Sequence, residues 1–301
     1  MYRYADYINK YGRIMQFNKN KELCIHRWYP FVEGYSKEFI ESIINEQTQK
    51  VDLCLEPFSG SGTTALELST KGINCISFEV NPFMFTLSKA KLKVSLYKQR
   101  TIKSHILKMK KYIVSLDDDK INPYSRFSTL IEGEEKKKWN IDLEVFIAIE
   151  KLKIAIDSLS TTLYKELYIV CLANILLEYS NLYRNGKCLS YKKGWKDNLY
   201  SQEQVITSFF NFINNVIIED LKKLETNNFS NHNLLFLGDA RKLIFDNVYD
   251  NSIDLIITSP PYLNSRDYTD SYMLELKALN FLTNYNEIIQ NTPLHQKILT
   301  V

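Results

Sequence analysis

The sequence predicts an α/β fold in which a mostly parallel, doubly wound sheet is interrupted by a large helical insertion. Residues 51–82 switch from strand to helix and back to strand. Two further apolar strands follow far downstream, in "NLLFLGDA" from Asn233 and "SIDLIITSPPY" from Ser252. The roughly 150 residues between these pairs look mostly helical and are far longer than the connections usual inside such a sheet. We therefore expect three parts, over residues 1–95, 96–230 and 231–301.

Composition sets few limits on function. The 301 residues are 45% hydrophobic and 24% charged, which is typical of a globular chain. With 38 Lys and Arg against 35 Asp and Glu, any surface for a polyanion must come from local clustering. The five cysteines form no CxxC pair, so neither a zinc site nor a disulfide framework is indicated. No stretch reaches the ~18 apolar residues of a membrane span, so we expect a soluble, cytoplasmic protein.

The first strand–helix–strand unit begins with an apolar strand, Val51 to Leu55. A helix is predicted over Thr63 to Lys71, with Gly72 as its stop, and a second strand over Cys75 to Val80. A right-handed crossover between such strands makes them parallel neighbours in a doubly wound sheet.

The inserted region is predicted to be helical with loops. Pro82 to about Tyr112 reads as one long basic helix, and residues near 140–182 and 201–225 have helical apolar periodicity. The segment "YRNGKCLSYKKGWKDN" between them reads as a basic loop.

A glycine-rich turn, "EPFSGSGTT", joins the first strand to its helix. Gly60 and Gly62 allow a tight turn and let a ligand lie against bare main chain, beside the amides that open the helix. Alone, the motif is equally compatible with a turn that holds no ligand.

Acidic residues end the next two predicted strands. Glu79 follows Gly62 by 17 residues, where a carboxylate accepts hydrogen bonds from both hydroxyls of a ribose, although a solvated glutamate is the alternative. Asp239, in "LGDA", reaches the same sheet edge and suits an adenine amine. There is no GxxxxGK[ST] motif, so a ligand with adenine and ribose but no required phosphate fits best.

The segment "TSPPY" ends the fourth predicted strand. Its prolines lack N–H groups, so the Ser259 hydroxyl and the Pro260 carbonyl are available to accept the two hydrogens of an exocyclic base amine. Tyr262 would stack on the base, which must first be flipped out of a duplex. The alternative is a rigid turn after a buried strand.

The motifs "FSGSG", "FEVNP", "LGDA" and "TSPPY", in this order, resemble those of the S-adenosylmethionine-dependent DNA amino-methyltransferases of bacterial restriction-modification systems. The segment "IHRWYPFVEGYSKEFIESII" is similar to the N-terminal cofactor motif of that family. The resemblance implies a class I methyltransferase (Rossmann-like) sheet and S-adenosyl-L-methionine as cofactor.

Carried over by position, the resemblance also implies residue roles. It places Glu79 at the ribose, Asp239 at the adenine and Ser36, capping a helix, near the methionine carboxylate. The remaining cofactor residues would be Glu56, Phe58, Gly60, Gly62 and Thr63. The base amine would be held by Ser259, Pro260, Pro261 and Tyr262. A serine at the first catalytic position favours cytosine-N4 over adenine-N6 methylation.

The chain departs from the family after the catalytic motif. Only 39 residues follow Tyr262, which leaves no room for the three further strands and the target-recognition region of the family. We therefore expect an incomplete sheet, which belongs either to a truncated gene product or to the N-terminal half of a split enzyme whose missing strands and target-recognition region come from a second polypeptide. Two alternatives stay open: a non-catalytic remnant that binds only cofactor or DNA, and an RNA amino-methyltransferase.

Two basic clusters are candidates for contact with double-stranded DNA. The first, which we expect to be a solvated helix face, comprises Lys89, Lys91, Lys93, Lys98, Arg100 and Lys103. The second, better candidate combines cations with Tyr183 and Tyr191, as a phosphate backbone and an unstacked base require. Its predicted DNA-binding residues are Arg184, Lys187, Lys192, Lys193, Trp195 and Lys196.

Overall fold

The computed structural model describes residues 11–31, 34–133, 136–186, 188–224, 229, 232–260 and 269–282. Its strands are β1 (Leu53–Glu56), β2 (Asn74–Glu79), β3 (Leu182–Asn185), β4 (Cys188–Tyr191), β5 (Leu234–Leu237) and β6 (Leu255–Ile256). Its helices are α1 (Lys37–Asn45), α2 (Thr63–Thr70), α3 (Pro82–Leu92), α4 (Gln99–Val114), α5 (Leu143–Asp157), α6 (Thr162–Tyr179), α7 (Gln202–Phe212), α8 (Glu219–Lys223), α9 (Ala240–Asn247) and α10 (Met273–Ala278).

Four strands form one parallel sheet in the order β5-β2-β1-β6. Cys54 pairs with Cys75 on one side and with Leu255 on the other, and Ile76 pairs with Leu234. The prediction of a mostly parallel α/β sheet is therefore confirmed. The carboxyl ends of these strands lie along one edge, where open α/β sheets bind their ligands.

Helices cover both faces of this sheet because its side chains alternate between them. Cys54 and Cys75 face a cluster that includes residues of α1 and α2. Leu55, Ile76 and Phe78 face the opposite side, where α9 packs. Leu243 and Ile244 from α9 contribute to that second cluster.

The long basic helix predicted from Pro82 onwards is in fact two helices, so this prediction was wrong. Helix α3 ends at Leu92, a 3-10 turn spans Val94–Leu96, and α4 begins at Gln99. The Tyr97 hydroxyl donates to the carbonyl of Ala90 (3.0 Å), one of the last carbonyls of α3. A helix end needs such a partner when it is buried.

The segment predicted as a basic loop contains a β-hairpin instead. Strands β3 and β4 pair antiparallel, with Leu182 opposite Tyr191. The turn contains Asn185 and Gly186, and the glycine has a φ of 60°. Because Asn185 still pairs with Cys188, Gly186 occupies the first central position of the turn, where glycine is a known hairpin signal.

One large apolar cluster joins the inserted helices to the rest of the molecule. Side chains from α4, α5, α6 and α7 share this core with Trp28 and Tyr29, with Phe83 and Leu87 of α3, and with Leu276 of α10. The helical region therefore packs directly on segments that flank the sheet.

Helices α7 and α8 are joined by a π-helical segment, Ile213–Ile218. The fully buried Asp220, just after it, accepts hydrogen bonds from the Ile25 amide (2.8 Å) and the Trp28 indole (2.9 Å). It also pairs with Arg27 (2.5 Å). These contacts hold Ile25 at a φ of 67°, which β-branched residues rarely adopt. Within the described ranges, no helix is long and apolar enough to cross a membrane.

Candidate active site

The glycine turn between β1 and α2 lies against the end of β2. The Ser59 amide donates to the carbonyl of Phe78 (2.9 Å), and the Gly62 amide donates to the carbonyl of Ser59 (2.9 Å). Gly60 and Gly62 have φ values of 52° and 76°. A Cβ on Gly60 would lie 2.9 Å from the ring of Phe31, so this position needs glycine for space as well as for conformation.

Glu79, at the end of β2, is hydrogen-bonded to this turn. Its carboxyl oxygens accept from the amides of Gly60 (2.7 Å) and Asn81 (2.8 Å). Burial raises the pKa of Glu79 to about 7, although these hydrogen bonds oppose the shift. The carboxyl group predicted to meet a ribose thus lies beside the glycine turn.

Glu56, at the end of β1, is a second buried carboxyl group at the same edge. The Tyr35 hydroxyl donates to it (2.5 Å). Burial is the main reason that the pKa of Glu56 rises to about 8, and the nearby Glu79 raises it further. Its Oε2 atom and the Ser59 hydroxyl are buried without a hydrogen-bond partner among the described residues.

These unpaired acceptors indicate what the site can bind. A buried polar atom without a partner is costly, and a ligand that donates hydrogen bonds removes that cost. Two carboxyl groups with raised pKa values also favour a positively charged ligand, because the cation stabilises their ionised forms. The site therefore suits a ligand with several donors and a positive charge.

Asp239 follows β5 at the same sheet edge, as predicted. The Gly238 amide donates to the carbonyl of Glu79 (2.8 Å), which holds the two strand ends together. The Asp239 carboxylate caps α9 through the Arg241 amide (3.0 Å) and pairs with the Arg241 guanidinium (2.7 Å). This pairing is the main reason that the pKa of Asp239 is lowered.

Of the other predicted cofactor residues, Phe58 lies in the turn, Thr63 begins α2, and Ser36 precedes α1. Ser36 caps α1 by accepting from the Phe39 amide (3.1 Å), so the predicted cap is confirmed. Thr63 is the buried first residue of α2, and Phe58 is half-buried in the turn. The sequence did not single out Tyr35 or Ser59, since a lone tyrosine or serine carries no pattern of its own.

The segment predicted to be catalytic begins at the same edge. The Ile257 amide donates to the carbonyl of Leu55 (3.1 Å), which keeps the chain beside β1 just past β6. Ser259 and Pro260 follow and are exposed. Pro261 and Tyr262 lie outside the described residues.

The predicted DNA-binding residues do not form one surface. Arg184 points inward, where it pairs with the fully buried Glu275 (2.6 Å) and lies between the rings of Tyr29 and Tyr272. The Lys192 ammonium donates to the carbonyls of Glu178 and Ser180 (both 2.6 Å). Both side chains are therefore engaged within the protein, and Lys187 lies outside the described residues.

Lys193, Trp195 and Lys196 belong to an aromatic and basic patch. We use "basic aromatic patch" for the residues Lys138, Trp139, Tyr191, Lys193, Trp195 and Lys196. Trp195 contacts Trp139 edge to face, with 4.7 Å between ring centroids, and Lys196 lies over both rings. Lys138 lies 5.3 Å from the ring centroid of Tyr191. The sequence did not predict Lys138 and Trp139 as part of this surface, although "KKKW" pairs cations with an aromatic residue.

Over the part of the chain that the structure describes, no group of three or more His, Cys, Asp or Glu side chains could hold a metal ion. The candidate site is therefore built from carboxyl groups, hydroxyl groups and main chain.

Comparison with known proteins identifies relatives. Residues 11–90, which include the glycine turn and Glu79, match the DNA methylase family. The type II methyltransferase M.BsoBI of Geobacillus stearothermophilus is 28% identical, over 89% of this chain and 55% of the relative. M.AvaI of Nostoc is 26% identical, over 89% of this chain and 56% of the relative.

A third relative, the type II methyltransferase M.MjaII of Methanocaldococcus jannaschii, is 28% identical over 50% of this chain. No solved structure matches the chain. The chain spans about half the length of M.BsoBI and M.AvaI. The family match and these type II methyltransferases together confirm the resemblance of this chain to the DNA amino-methyltransferases of restriction-modification systems.

Proposed function

We propose that this protein transfers a methyl group from S-adenosyl-L-methionine to the exocyclic amine of a flipped DNA base, with cytosine-N4 favoured over adenine-N6. The observation that carries the proposal is the meeting of four motifs at one sheet edge. The glycine turn, Glu79, Asp239 and the segment starting at Ser259 all follow the carboxyl ends of neighbouring parallel strands.

The chemistry of this edge supports the cofactor. S-adenosylmethionine has a sulfonium charge, an ammonium group, two ribose hydroxyls and an adenine amine. The unpaired atoms of Glu56 and Ser59 can accept hydrogen bonds, Glu79 is bonded to the glycine turn, and Asp239 follows the neighbouring strand end. When bound, the cofactor supplies the methyl group, and these side chains bind and orient it.

The position of Ser259 supports the amine site. An exocyclic amine is a weak nucleophile because its lone pair is conjugated with the ring. Acceptors that draw its two N–H bonds out of plane, here the Ser259 hydroxyl and the Pro260 carbonyl, favour a more reactive nitrogen. A serine rather than an aspartate at this position is the reason we favour cytosine-N4.

The basic aromatic patch is the proposed contact with double-stranded DNA. Exposed Lys193 and Lys196 suit phosphate groups, and Trp195 offers a ring for stacking on a base. The engaged side chains of Arg184 and Lys192 are not part of this proposal.

The test has two stages. Calorimetric titration of the full chain with S-adenosylmethionine is expected to show one binding site, and mutation of Glu79 to Ala is expected to abolish it. Incubation with duplex DNA and labelled cofactor, followed by mass spectrometry of the nucleosides, is then expected to give N4-methylcytosine. Ser259→Ala should remove the product and leave cofactor binding unchanged.

Each stage can contradict the proposal, in whole or in part. Absence of cofactor binding would overturn all of it. N6-methyladenine as the product would reverse the base assignment, and methylation of RNA in preference to DNA would reverse the substrate class. Binding of both cofactor and DNA without transfer would favour a non-catalytic role. The comparisons give no support to a second polypeptide.

A further inference from the structure

A fully buried lysine lies directly behind the glycine turn. Lys91, in α3, is 0% exposed, and its ammonium donates to the carbonyl of Ser61 (3.0 Å). The sequence placed Lys91 on a solvated basic face, and that prediction was wrong for this residue. Lys89 and Lys93, from the same cluster, pair with Glu166 at the protein surface (2.6 and 2.8 Å).

Ser88, one helical turn before Lys91, makes a matching contact. Its hydroxyl donates to the carbonyl of Gly60 (2.9 Å). A Cβ on Gly62 would lie 2.8 Å from the Ser88 hydroxyl and 3.1 Å from its Cα. The turn therefore packs closely against α3, and two successive carbonyls of the turn point into that helix.

These two contacts fix the direction of the turn's amides. In a trans peptide, the carbonyl and the following N–H point in opposite directions. When the Gly60 carbonyl points to Ser88, the Ser61 amide points away from α3. When the Ser61 carbonyl points to Lys91, the Gly62 amide is directed back to the Ser59 carbonyl, which closes the turn (2.9 Å).

The burial of Lys91 is costly for the fold. Burial lowers its pKa to about 7, and the charge of Glu67 opposes this shift. Glu67 is itself engaged by His26 (2.6 Å) and Lys37 (3.3 Å). Both the ammonium and the neutral amine carry N–H bonds, so the contact with Ser61 survives deprotonation. A buried group that weakly supports stability is often retained for function.

We propose that Ser88 and Lys91 are positioning residues that hold the glycine turn in the geometry that S-adenosylmethionine requires, an inference that rests on the proposed function. Neither side chain need touch the cofactor. They act through the carbonyls of Gly60 and Ser61, so that the turn is ordered before the ligand arrives and binding costs less conformational entropy.

The experiment compares the variants Ser88→Ala, Lys91→Met and the double variant with the unmodified chain. Methionine keeps an unbranched apolar side chain as far as the Cε position and removes the ammonium group, with its charge and donors. Titration with S-adenosylmethionine is expected to show affinity about tenfold weaker for Lys91→Met, because a charged hydrogen bond to the turn is lost. For Ser88→Ala the affinity should be about threefold weaker, because the lost hydrogen bond is neutral. The melting temperature of Lys91→Met should not fall by more than a few degrees, because a desolvated charge is removed.

Lys89→Met is the matched control, since it changes another lysine of α3 that pairs at the surface. Its cofactor affinity should equal that of the unmodified chain. S-adenosylhomocysteine, which lacks the sulfonium charge, separates positioning from electrostatics. A positioning role predicts equal fold losses for the two ligands, whereas a direct effect of the Lys91 charge would change their ratio.

The outcomes separate this inference from the proposed function. If the unmodified chain does not bind S-adenosylmethionine, the proposed function fails. If it binds and Lys91→Met binds equally well, the positioning role is wrong. A loss of affinity that simply follows a large drop in melting temperature would also overturn it, since that would indicate a role in folding alone.

Discussion

At the scale of single residues, the buried carboxyl groups set the behaviour of the site. Glu56 and Glu79 have pKa values raised to about 8 and about 7, mainly by burial. Each carboxyl group is therefore protonated in the folded protein at a pH where it would be ionised in the unfolded chain. Keeping them ionised in the folded protein costs free energy, and a bound cation would offset that cost.

We predict that Glu56→Gln stabilises the protein in a pH-dependent way. The folded-state pKa of Glu56 lies above its ordinary value of 4.5, so its favourable contribution is complete below about pH 4.5 and is lost as the pH rises to about 8. Glutamine cannot ionise, and its oxygen still accepts from Tyr35. Melting temperatures should be equal near pH 4.5, and that of Glu56→Gln should be higher at pH 8. An equal difference at both pH values would contradict this.

We also predict that Gly62→Ala destabilises the protein more than Gly72→Ala. Both glycines have positive φ, 76° and 73°, so both substitutions strain the backbone by about 1–2 kcal/mol. A Cβ at Gly62 would also meet Ser88, whereas nothing lies within 4 Å of one at Gly72. Overpacking should add about 1–3 kcal/mol to the loss for Gly62→Ala. Urea denaturation measures both, and equal losses would rule out the contact.

The positions of these residues were predictable from the sequence, and their environments were not. Gly60, Gly62 and Glu79 carry a recognisable spacing. Lys91 does not, because its burial depends on how α3 packs against the turn. Because Lys89 and Lys93 lie close to it in the sequence, the pattern predicts that Lys91 is exposed, and only the tertiary structure shows that it is buried.

At the scale of secondary structure, the β3–β4 hairpin connects the core to the proposed DNA surface. Arg184 in β3 is held by Glu275 of α10, and Tyr191 in β4 packs against Trp195 (5.2 Å between centroids). Tyr191 is paired with Leu182, two residues before Arg184, so both side chains lie on the same face of the hairpin, and Tyr191 also packs against the large apolar cluster. The exposed cations Lys193 and Lys196 follow β4, so the basic segment supplies an internal ion pair from β3 and exposed cations from the residues after β4.

We predict that Lys193→Gln with Lys196→Gln weakens binding of duplex DNA and lowers its salt dependence. Each phosphate contact that is lost should reduce the slope of log affinity against log salt by about 0.9. Lys103→Gln, an exposed lysine of α4, is the control and should bind like the unmodified chain. Fluorescence anisotropy over a range of salt concentrations measures the slopes, and an unchanged slope in the double variant would exclude the patch.

The strands and the helices differed in how well the sequence predicted them. The parallel strands were found because apolar runs before "EPFSG", "EVNP" and "LGDA" are bounded by turn residues. The break between α3 and α4 was missed, since neither proline nor glycine marks residues 93–98. The chain turns there through side-chain contacts such as that of Tyr97 with Ala90.

At the scale of the whole molecule, the inserted helices and the sheet are connected through one apolar cluster. Residues as distant in sequence as Ile25 and Leu282 contribute to it. The length and helical periodicity of the inserted region predicted an insertion. The sequence could not show that the core of this insertion is continuous with the segments that flank the sheet. Such continuity depends on long-range packing.

We predict that this shared core makes unfolding cooperative. Urea denaturation followed by far-UV circular dichroism reports mainly on the helices, and tryptophan fluorescence reports on Trp28 in the core and on Trp139 and Trp195 in the patch. The two curves should coincide, since loss of the common core removes the support of both regions. Separate midpoints would indicate independently folding parts.

The π-helical segment Ile213–Ile218 has a consequence for tolerance to deletions. A widened turn holds one residue more than a regular one, and each residue of an α-helix advances the phase by about 100°. Shortening this segment by one residue would rotate Asp220 away from Ile25 and Trp28, whose donors it satisfies. The extra residue therefore sets the direction in which Asp220 points from the helix. We expect substitutions within Ile213–Ile218 to be tolerated better than deletion of one residue.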